Sequence, residues 1–285
     1  MNPLPNGIHF DIPEDLYRAD PAINQSLLKA FSRAPTPQHF RYEQEHPREE
    51  TAELRIGNYV DTFMFDKGCI PDKFAVWESR RQGKDWEAFE AANADKTILN
   101  KAEQGRALGI IKSLLSHEDA VKIVSACTHQ TVAIAEHPAL KCRMKGAIDL
   151  LPDLSRCHAS LAEYVFDLKT SADASPEGFA MQCWRLGYAV QAAFYGDLLE
   201  LCGRKTTTFG FIVAENEPPH QVAIHYFKRD SIEIIEARKK YEGWMEKYLA
   251  CVAKGEWPGY GSEWTRIEYK PWQLAEKWSE REMLY

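Results

Sequence analysis

Two aspartates and a lysine stand in strand-like segments, at a spacing that lets them act together. Asp149 closes the apolar strand that begins "KGAID", and Asp167 and Lys169 lie in "YVFDLKTS". Alternate side chains of a strand share a face, so Asp167 and Lys169 should point into a cleft while Phe166 and Leu168 pack into the core. If the two strands are neighbours in one sheet, the carboxylates of Asp149 and Asp167 converge.

Two converging carboxylates repel each other unless a cation lies between them. Mg²⁺ is a natural solution, because it takes one or two carboxylates and keeps several waters. The backbone carbonyl of Leu168 offers another oxygen ligand. Lys169 beside such an ion could position or deprotonate a water, or stabilise charge on a phosphate. The set therefore predicts phosphodiester hydrolysis, and Thr170 and Ser171, directly after the lysine, are suited to phosphate contact.

A plainer interpretation stays open for several of these residues. The Asp-x-Lys pattern also occurs by chance, as an ion pair on a solvated strand face. Arg143 and Lys145 precede Asp149 on its strand, and either hold phosphate in the same cleft or are ordinary exposed cations. Gln191 and Tyr195 are four residues apart on a predicted helix and so share one face. Tyr195 either supports a water or a phosphate there, or is a core tyrosine.

The composition is that of a globular protein. The chain has 285 residues, 45% of them hydrophobic, and a net charge of −7, which argues against holding nucleic acid by bulk basic charge. It shows no apolar run long enough for a membrane span and no signal-peptide pattern, so we expect no membrane partner. Seven cysteines, none of them in a C-x-x-C pair, indicate free thiols in a reducing cytoplasm.

The elements that must position these residues follow one another in a simple order. Residues 1–127 are mostly helical in pattern, including "SLLKAF", "ELRIGNYVDTFMFDKG" and the charged stretch 84–125. Residues 128–255 predict three strands, one long helix with Trp184 packed against the sheet, two more strands and a final helix. Residues 256–285 form a C-terminal tail. The order predicts a single α/β domain over residues 1–285, with the N-terminal helices wrapping the core.

The runs "KGAIDLL", "YVFDLKTS" and "GYAVQAAFYGDLL" together resemble the PD-(D/E)XK nuclease superfamily, and within it the RecE-type exonucleases of phages and prophages. "INQSLLKAF", "LRIGNYVDTFMFD" and "KGEWPGY" resemble other parts of that group, so the similarity extends from about residue 7 to residue 262. It implies a restriction-endonuclease-like core with a mixed central sheet. The catalytic residues it implies are Glu136, Asp149, Asp167, Lys169, Gln191 and Tyr195.

One position departs from the family pattern. The second helix of the family usually carries a histidine in "G-x-x-x-H", and this sequence has "GNYVD", so Asp61 stands in its place. A carboxylate can replace imidazole as a ligand of a hard cation and would favour Mg²⁺ or Mn²⁺. Asp61 is therefore either a metal ligand beside Asp149, Asp167 and Leu168, or a plain helix aspartate.

The resemblance also implies an activity and partners. It implies a metal-dependent exonuclease in the cytoplasm of a bacterial host, which digests linear double-stranded DNA from its ends, 5′ to 3′, and leaves 3′ overhangs. A homo-oligomeric ring around the DNA and a single-strand annealing protein (RecT-like) are the expected partners. A ring would hold DNA by topology, which suits the negative net charge. Two alternatives remain: a DNA-end binding protein without cleavage, and a structure-specific endonuclease, which unlike an exonuclease would cut closed circles.

Overall fold

A six-stranded mixed sheet lies at the centre of the protein, with helices on both faces. The computed structural model describes residues 3–269. The strands are β1 (Gly7–His9), β2 (Phe74–Trp77), β3 (Thr97–Asn100), β4 (Cys127–Glu136), β5 (Arg143–Pro152), β6 (Tyr164–Ser171), β7 (Thr208–Glu215) and β8 (Val222–Lys228). The α-helices are α1 (Glu14–Ala19), α2 (Gln25–Arg33), α3 (Pro37–Glu45), α4 (Ala52–Asp66), α5 (Ile70–Lys73), α6 (Lys84–Ala92), α7 (Lys101–Ser116), α8 (Glu118–Ala126), α9 (Pro176–Leu186), α10 (Tyr188–Leu201) and α11 (Ile232–Lys254).

The strand order of the central sheet is β1-β4-β5-β6-β7-β8, with β6 and β7 parallel and the other neighbours antiparallel. Helices α2, α9, α10 and α11 pack on one face, and α4, α7 and α8 pack on the other. Because both faces are covered, β7 reads "TFGFIVAE" and is buried along nearly its whole length instead of alternating. The predicted mixed α/β sheet flanked by helices is confirmed.

The sheet opens into a fork between β5 and β6. Within the described residues these strands are joined by one backbone pair, Leu150 with Phe166, whereas β4 and β5 pair over almost their full length. Asp149 and Asp167 are the next residues on either side of the opening. The N–H of Leu168 donates to Asp149 Oδ2 at 3.4 Å, so a side chain replaces the ladder partner that this amide would otherwise have. The fork creates the space into which both aspartates project.

Three local expectations differ from the structure. The stretch 84–125 is not helical throughout, because Thr97–Asn100 forms β3, which pairs in parallel with β2 in a separate two-stranded sheet. The long helix expected after β6 is divided by Gly187, which adopts a left-handed conformation (φ 67°) and separates α9 from α10. Asp149 lies inside β5 rather than at its end, because Leu150–Pro152 continue to pair with β4.

The two chain ends add little to this picture. β1 joins the edge of the central sheet beside β4, although residues 1–127 read as helical. The predicted tail, 256–285, is described as far as residue 269, and residues 270–285 lie outside the described part. None of the helices in the described part is both long and apolar enough to cross a membrane.

Candidate active site

Asp149 occupies the β5 side of the fork, where its carboxylate meets two polar neighbours. Its Oδ2 accepts the Leu168 N–H, and its Oδ1 accepts from Gln130 Nε2 at 3.3 Å. Burial raises the pKa of Asp149 well above its ordinary value, and the negative charges of Asp167 and Asp61 raise it further. The positive charge near Asp149 is therefore too small to keep its carboxyl group ionised at the ordinary pKa.

Asp167 and Lys169 form an ion pair on the β6 side of the fork. Asp167 Oδ1 accepts from Gln191 Nε2 at 2.6 Å, while its buried Oδ2 is in ion-pair contact with the ammonium of Lys169. The Lys169 ammonium also lies over the Tyr188 ring, 5.2 Å from the centroid. Burial opposes the charge of Lys169, but the carboxylates of Asp167 and Asp149 outweigh it and raise the pKa of the lysine.

The alternation of β6 places these groups as the sequence predicted. Phe166 and Leu168 belong to the hydrophobic cluster beneath α4 and α7, so Asp167 and Lys169 project toward the side of α9 and α10. Apolar residues on one face of the strand therefore anchor it, while its polar residues face the opening.

Helix α10 contributes Gln191 and Tyr195, one turn apart on the face that meets β5 and β6. Gln191 holds Asp167 directly. Tyr195 is buried, and burial raises the pKa of its phenol well above the ordinary value. A Cβ on Gly146 of β5 would lie 2.7 Å from the Tyr195 ring, so the absence of a side chain at Gly146 lets the ring lie against the strand.

Asp61 approaches the same charges from α4, which packs on the other face of the sheet. This helix lies close to β6, because a Cβ on Gly57 would lie 3.6 Å from Thr170 Oγ1. Burial raises the pKa of Asp61 to about 7, with the Lys169 charge lowering it and the Asp167 charge raising it. The position at which the family has histidine is therefore electrostatically part of the site.

The donor set at the fork suits a hard divalent cation. Two carboxylates oppose each other, with the Lys169 ammonium against Asp167 Oδ2, and the Leu168 carbonyl is adjacent. Oxygen ligands of this kind are those that Mg²⁺ and Mn²⁺ prefer. Over residues 3–269, no three His, Cys, Asp or Glu side chains converge on a single metal position. The set is thus two aspartates and a carbonyl, with Asp61 coupled to them through charge.

Two predicted residues lie far from the fork. Glu136 is exposed at the end of β4, opposite Arg143 at the start of β5. Arg143 stands six residues before Asp149, which at about 3.3 Å per residue puts both about 20 Å along the strand from it. Arg143 pairs with Asp20 at 3.5 Å. The structure therefore does not bring Glu136 or Arg143 to the candidate site, because strand length separates them from it.

The other predicted phosphate contacts are also directed elsewhere. Lys145 is 4% exposed, and its ammonium donates to the carbonyls of Tyr17 and Asp20, each at 2.6 Å. Ser171 is buried and donates to Gln182 Oε1 at 2.6 Å. Thr170 lies on the α4 face of β6, opposite to Lys169. The N-terminal segment thus holds Lys145, α9 holds Ser171 and Thr170 faces α4, and phosphate contact by these residues stays a prediction.

Three residues near the site carried no strong signal in the sequence. Gln130 has a left-handed backbone (φ 50°) and donates to Asp149, and Tyr188 supports the Lys169 ammonium. Lys29 of α2 lies over the same Tyr188 ring, 5.9 Å from its centroid. Trp184, expected to pack against the sheet, is 79% exposed, because the buried face of α9 is formed by Phe179 and Cys183 and Trp184 points to one side of it.

The mixed sheet with its fork defines the class: the protein has a nuclease-like fold of the PD-(D/E)XK type. Residues 24–269 match the family described as a PDDEXK-like domain of unknown function (DUF3799), and the chain belongs to this family. The predicted membership of the PD-(D/E)XK superfamily is thereby confirmed. No curated protein matches the sequence.

Solved structures with the same fold include a candidate exonuclease from Eubacterium rectale. It has 18% sequence identity and a TM-score of 0.63, and the match covers 94% of this chain and 100% of that one. A phage-related exonuclease from Haemophilus somnus matches with 10% identity and a TM-score of 0.33, over 82% of this chain and 96% of that one. LHK-Exo in complex with dAMP matches with 13% identity and a TM-score of 0.30, over 70% and 92%. The first likeness shows a shared fold.

Proposed function

We propose that this chain is a single-domain, metal-dependent nuclease that hydrolyses DNA phosphodiesters. The observation that supports this most is the meeting of Asp149, Asp167 and Lys169 at the fork between β5 and β6. A solvated surface ion pair would not explain it, because the side chain of Asp167 is 3% exposed and a second carboxylate stands opposite. Opposed buried carboxylates with a nearby cation are typical of a site that binds a divalent ion and a phosphate.

The proposed roles follow from the contacts of each residue. Asp149, Asp167 and the Leu168 carbonyl would hold Mg²⁺ or Mn²⁺, which when bound polarises the phosphate and lowers the pKa of water. Gln191 fixes Asp167 through the bond to Oδ1, leaving Oδ2 toward the opening. Lys169, held charged by the two carboxylates, stabilises negative charge on a phosphate oxygen.

Tyr195 is a packing and orienting residue in this proposal. Its ring lies against Gly146 and it is almost fully buried, so it supports β5 and α10 around the site rather than contacting substrate. Asp61 sets the charge balance from the other side of the sheet and is not one of the proposed metal ligands. The role proposed for Tyr195 differs from the catalytic role that the family resemblance implies.

We further propose that the substrate is the end of linear double-stranded DNA. The resemblance to RecE-type exonucleases supports this, as does the shared fold with the candidate exonuclease from Eubacterium rectale. On the same resemblance we propose 5′ to 3′ digestion with 3′ overhangs, a homo-oligomeric ring, an annealing protein as partner and a bacterial cytoplasm as compartment. The net charge of −7 favours a ring over bulk basic charge as the means of retaining DNA.

Digestion of end-labelled DNA tests the proposal. Linear duplex labelled at the 5′ or the 3′ end is incubated with Mg²⁺, Mn²⁺ or EDTA, beside closed circular DNA. We expect metal-dependent loss of linear DNA with early release of the 5′ label, and intact circles. Digestion of closed circles would indicate an endonuclease instead. DNA ends bound but never cut would indicate a binding protein, the alternative that Asp61 in place of histidine keeps open.

A further inference from the structure

Lys29 presents a positive charge to the site from the N-terminal part of the chain. It lies on α2, which begins after the capping residue Asn24 and is anchored by the buried side chains of Leu28 and Phe31. The stem of Lys29 passes the junction of α9 and α10, where a Cβ on Gly187 would lie 3.5 Å from its Cδ. Packing thus directs the ammonium toward the catalytic strand.

The ammonium of Lys29 and that of Lys169 share one aromatic ring. Their Nζ atoms lie 5.9 Å and 5.2 Å from the centroid of Tyr188. An aromatic face attracts a cation but does not neutralise a full charge. Two ammonium groups therefore lie beside this ring, and the ring alone does not compensate their charges.

The two lysines differ in whether a carboxylate compensates them. Lys169 is paired with Asp167, whereas Lys29 forms no ion pair with any carboxylate in residues 3–269. Burial, together with the charges of Lys169 and Arg33, lowers the pKa of Lys29 to about 8, against the opposing effect of Asp167. Lys145, by comparison, is buried but satisfied by backbone carbonyls. Lys29 is thus a partly buried cation near the site whose charge is not compensated by a carboxylate in residues 3–269.

We propose that Lys29 holds a phosphate of the DNA strand in the site, next to the phosphate that Lys169 faces. This rests on the proposed nuclease function and adds a substrate-binding residue from α2. An anion between Lys29 and Lys169 would compensate the charge of Lys29, and a DNA strand supplies phosphates at regular intervals. Because Lys169 is already paired with Asp167, Lys29 contributes more to DNA affinity and Lys169 contributes more to turnover.

Equilibrium binding without cleavage tests this assignment. The affinity of wild type, Lys29→Gln and Lys29→Arg for a fluorescent duplex is measured by anisotropy in EDTA at several salt concentrations. We expect Lys29→Gln to bind more weakly and to lower the slope of log affinity against log salt by about 0.7–0.9, the loss of one phosphate contact. Lys29→Arg should keep the slope. Lys112→Gln, which removes an exposed charge on α7, is the matched control and should behave as wild type.

Amine labelling of the wild-type protein provides a test that needs no variant to fold. The protein is acetylated with and without duplex DNA, and the modification of each lysine is read by mass spectrometry. DNA should protect Lys29 and leave Lys112 reactive. Equal modification of Lys29 in both conditions, or an unchanged salt slope in Lys29→Gln while the wild type digests DNA, would overturn the assignment alone. A wild type that neither binds nor digests DNA would overturn the proposed function with it.

Discussion

Replacing Lys169 by methionine separates catalysis from the structural effect of the ion pair. The side chains of Lys169 and Asp167 are 19% and 3% exposed, so the pair is largely shielded from water. Removing one partner of a buried pair costs about 3–5 kcal/mol of unfolding free energy, because the remaining charge is left uncompensated. Gln191 still donates to Asp167, so we expect a loss near the lower end of that range in EDTA.

The same substitution should reduce turnover more than binding. Losing one electrostatic or acid–base group lowers the rate by about 10²-fold or more, which corresponds to about 2.7 kcal/mol in the barrier. Mg²⁺ should recover much of the lost stability, because a divalent ion would replace the ammonium as the charge that compensates Asp167 and Asp149. The expected signature is a stable, metal-bound variant that binds DNA and cleaves it slowly.

Three measurements on one preparation decide the matter. Single-turnover digestion of an end-labelled duplex gives the rate, anisotropy in EDTA gives the affinity, and thermal unfolding with and without Mg²⁺ gives the stability. Lys112→Met, at an exposed position on α7, is the control for loss of a lysine charge. A Lys169→Met protein that cleaves at the wild-type rate would refute the role given to this lysine. A loss of thermal stability in Lys169→Met that Mg²⁺ does not restore would refute the placement of the metal beside Asp167.

Three further predictions concern residues around the same carboxylates. Gln191→Leu removes the donor to Asp167 Oδ1 and should lower the free energy of unfolding by about 1–3 kcal/mol in EDTA, measured by urea denaturation; an unchanged midpoint would contradict the 2.6 Å bond. Asp61→Asn should raise the thermal midpoint in EDTA, and the gain should grow from pH 5 to pH 8: a carboxyl whose folded pKa is raised from 3.8 to about 7 costs increasing stability as pH rises through that interval. An equal gain at both pH values would contradict the raised pKa. Gly146→Val should lower the thermal midpoint and slow DNA digestion, because its Cβ meets the Tyr195 ring; a Tyr195→Ala background should tolerate it better, and equal loss in both backgrounds would contradict the contact.

The local pattern of β6 was sufficient to predict the main feature of the site. Alternation puts Asp167 and Lys169 on one face, and an apolar strand of suitable length precedes them, so their convergence with Asp149 could be inferred without a structure. The helical spacing of Gln191 and Tyr195 likewise predicted a shared face. These inferences succeeded because each depends on the period of one element and on the pairing of two neighbouring strands.

The surroundings of a residue could not be predicted where contacts between distant segments decide them. Lys145 reads as an exposed strand cation, but the carbonyls of Tyr17 and Asp20, more than 120 residues earlier in the chain, bury and satisfy it. The Ser171 hydroxyl donates a hydrogen bond to Gln182 of the following helix. The position of Lys29 cannot be read from the sequence for the same reason, since nothing in "INQSLLKAF" shows that α2 packs beside Gly187 and Tyr188. Sequence periodicity gives the face of an element but not the segment that covers it.

Metal-dependent cleavage by aspartate variants tests the central claim most directly. Wild type, Asp149→Asn, Asp167→Asn and the control Asp95→Asn, at an exposed position before β3, are incubated with linear duplex in Mg²⁺ and in EDTA. We predict that wild type and Asp95→Asn release nucleotides in Mg²⁺ alone, and that neither Asp149→Asn nor Asp167→Asn does so although both remain folded. Digestion in EDTA by the wild type, or normal digestion by either fork variant, would contradict a metal-dependent nuclease site at the β5–β6 fork.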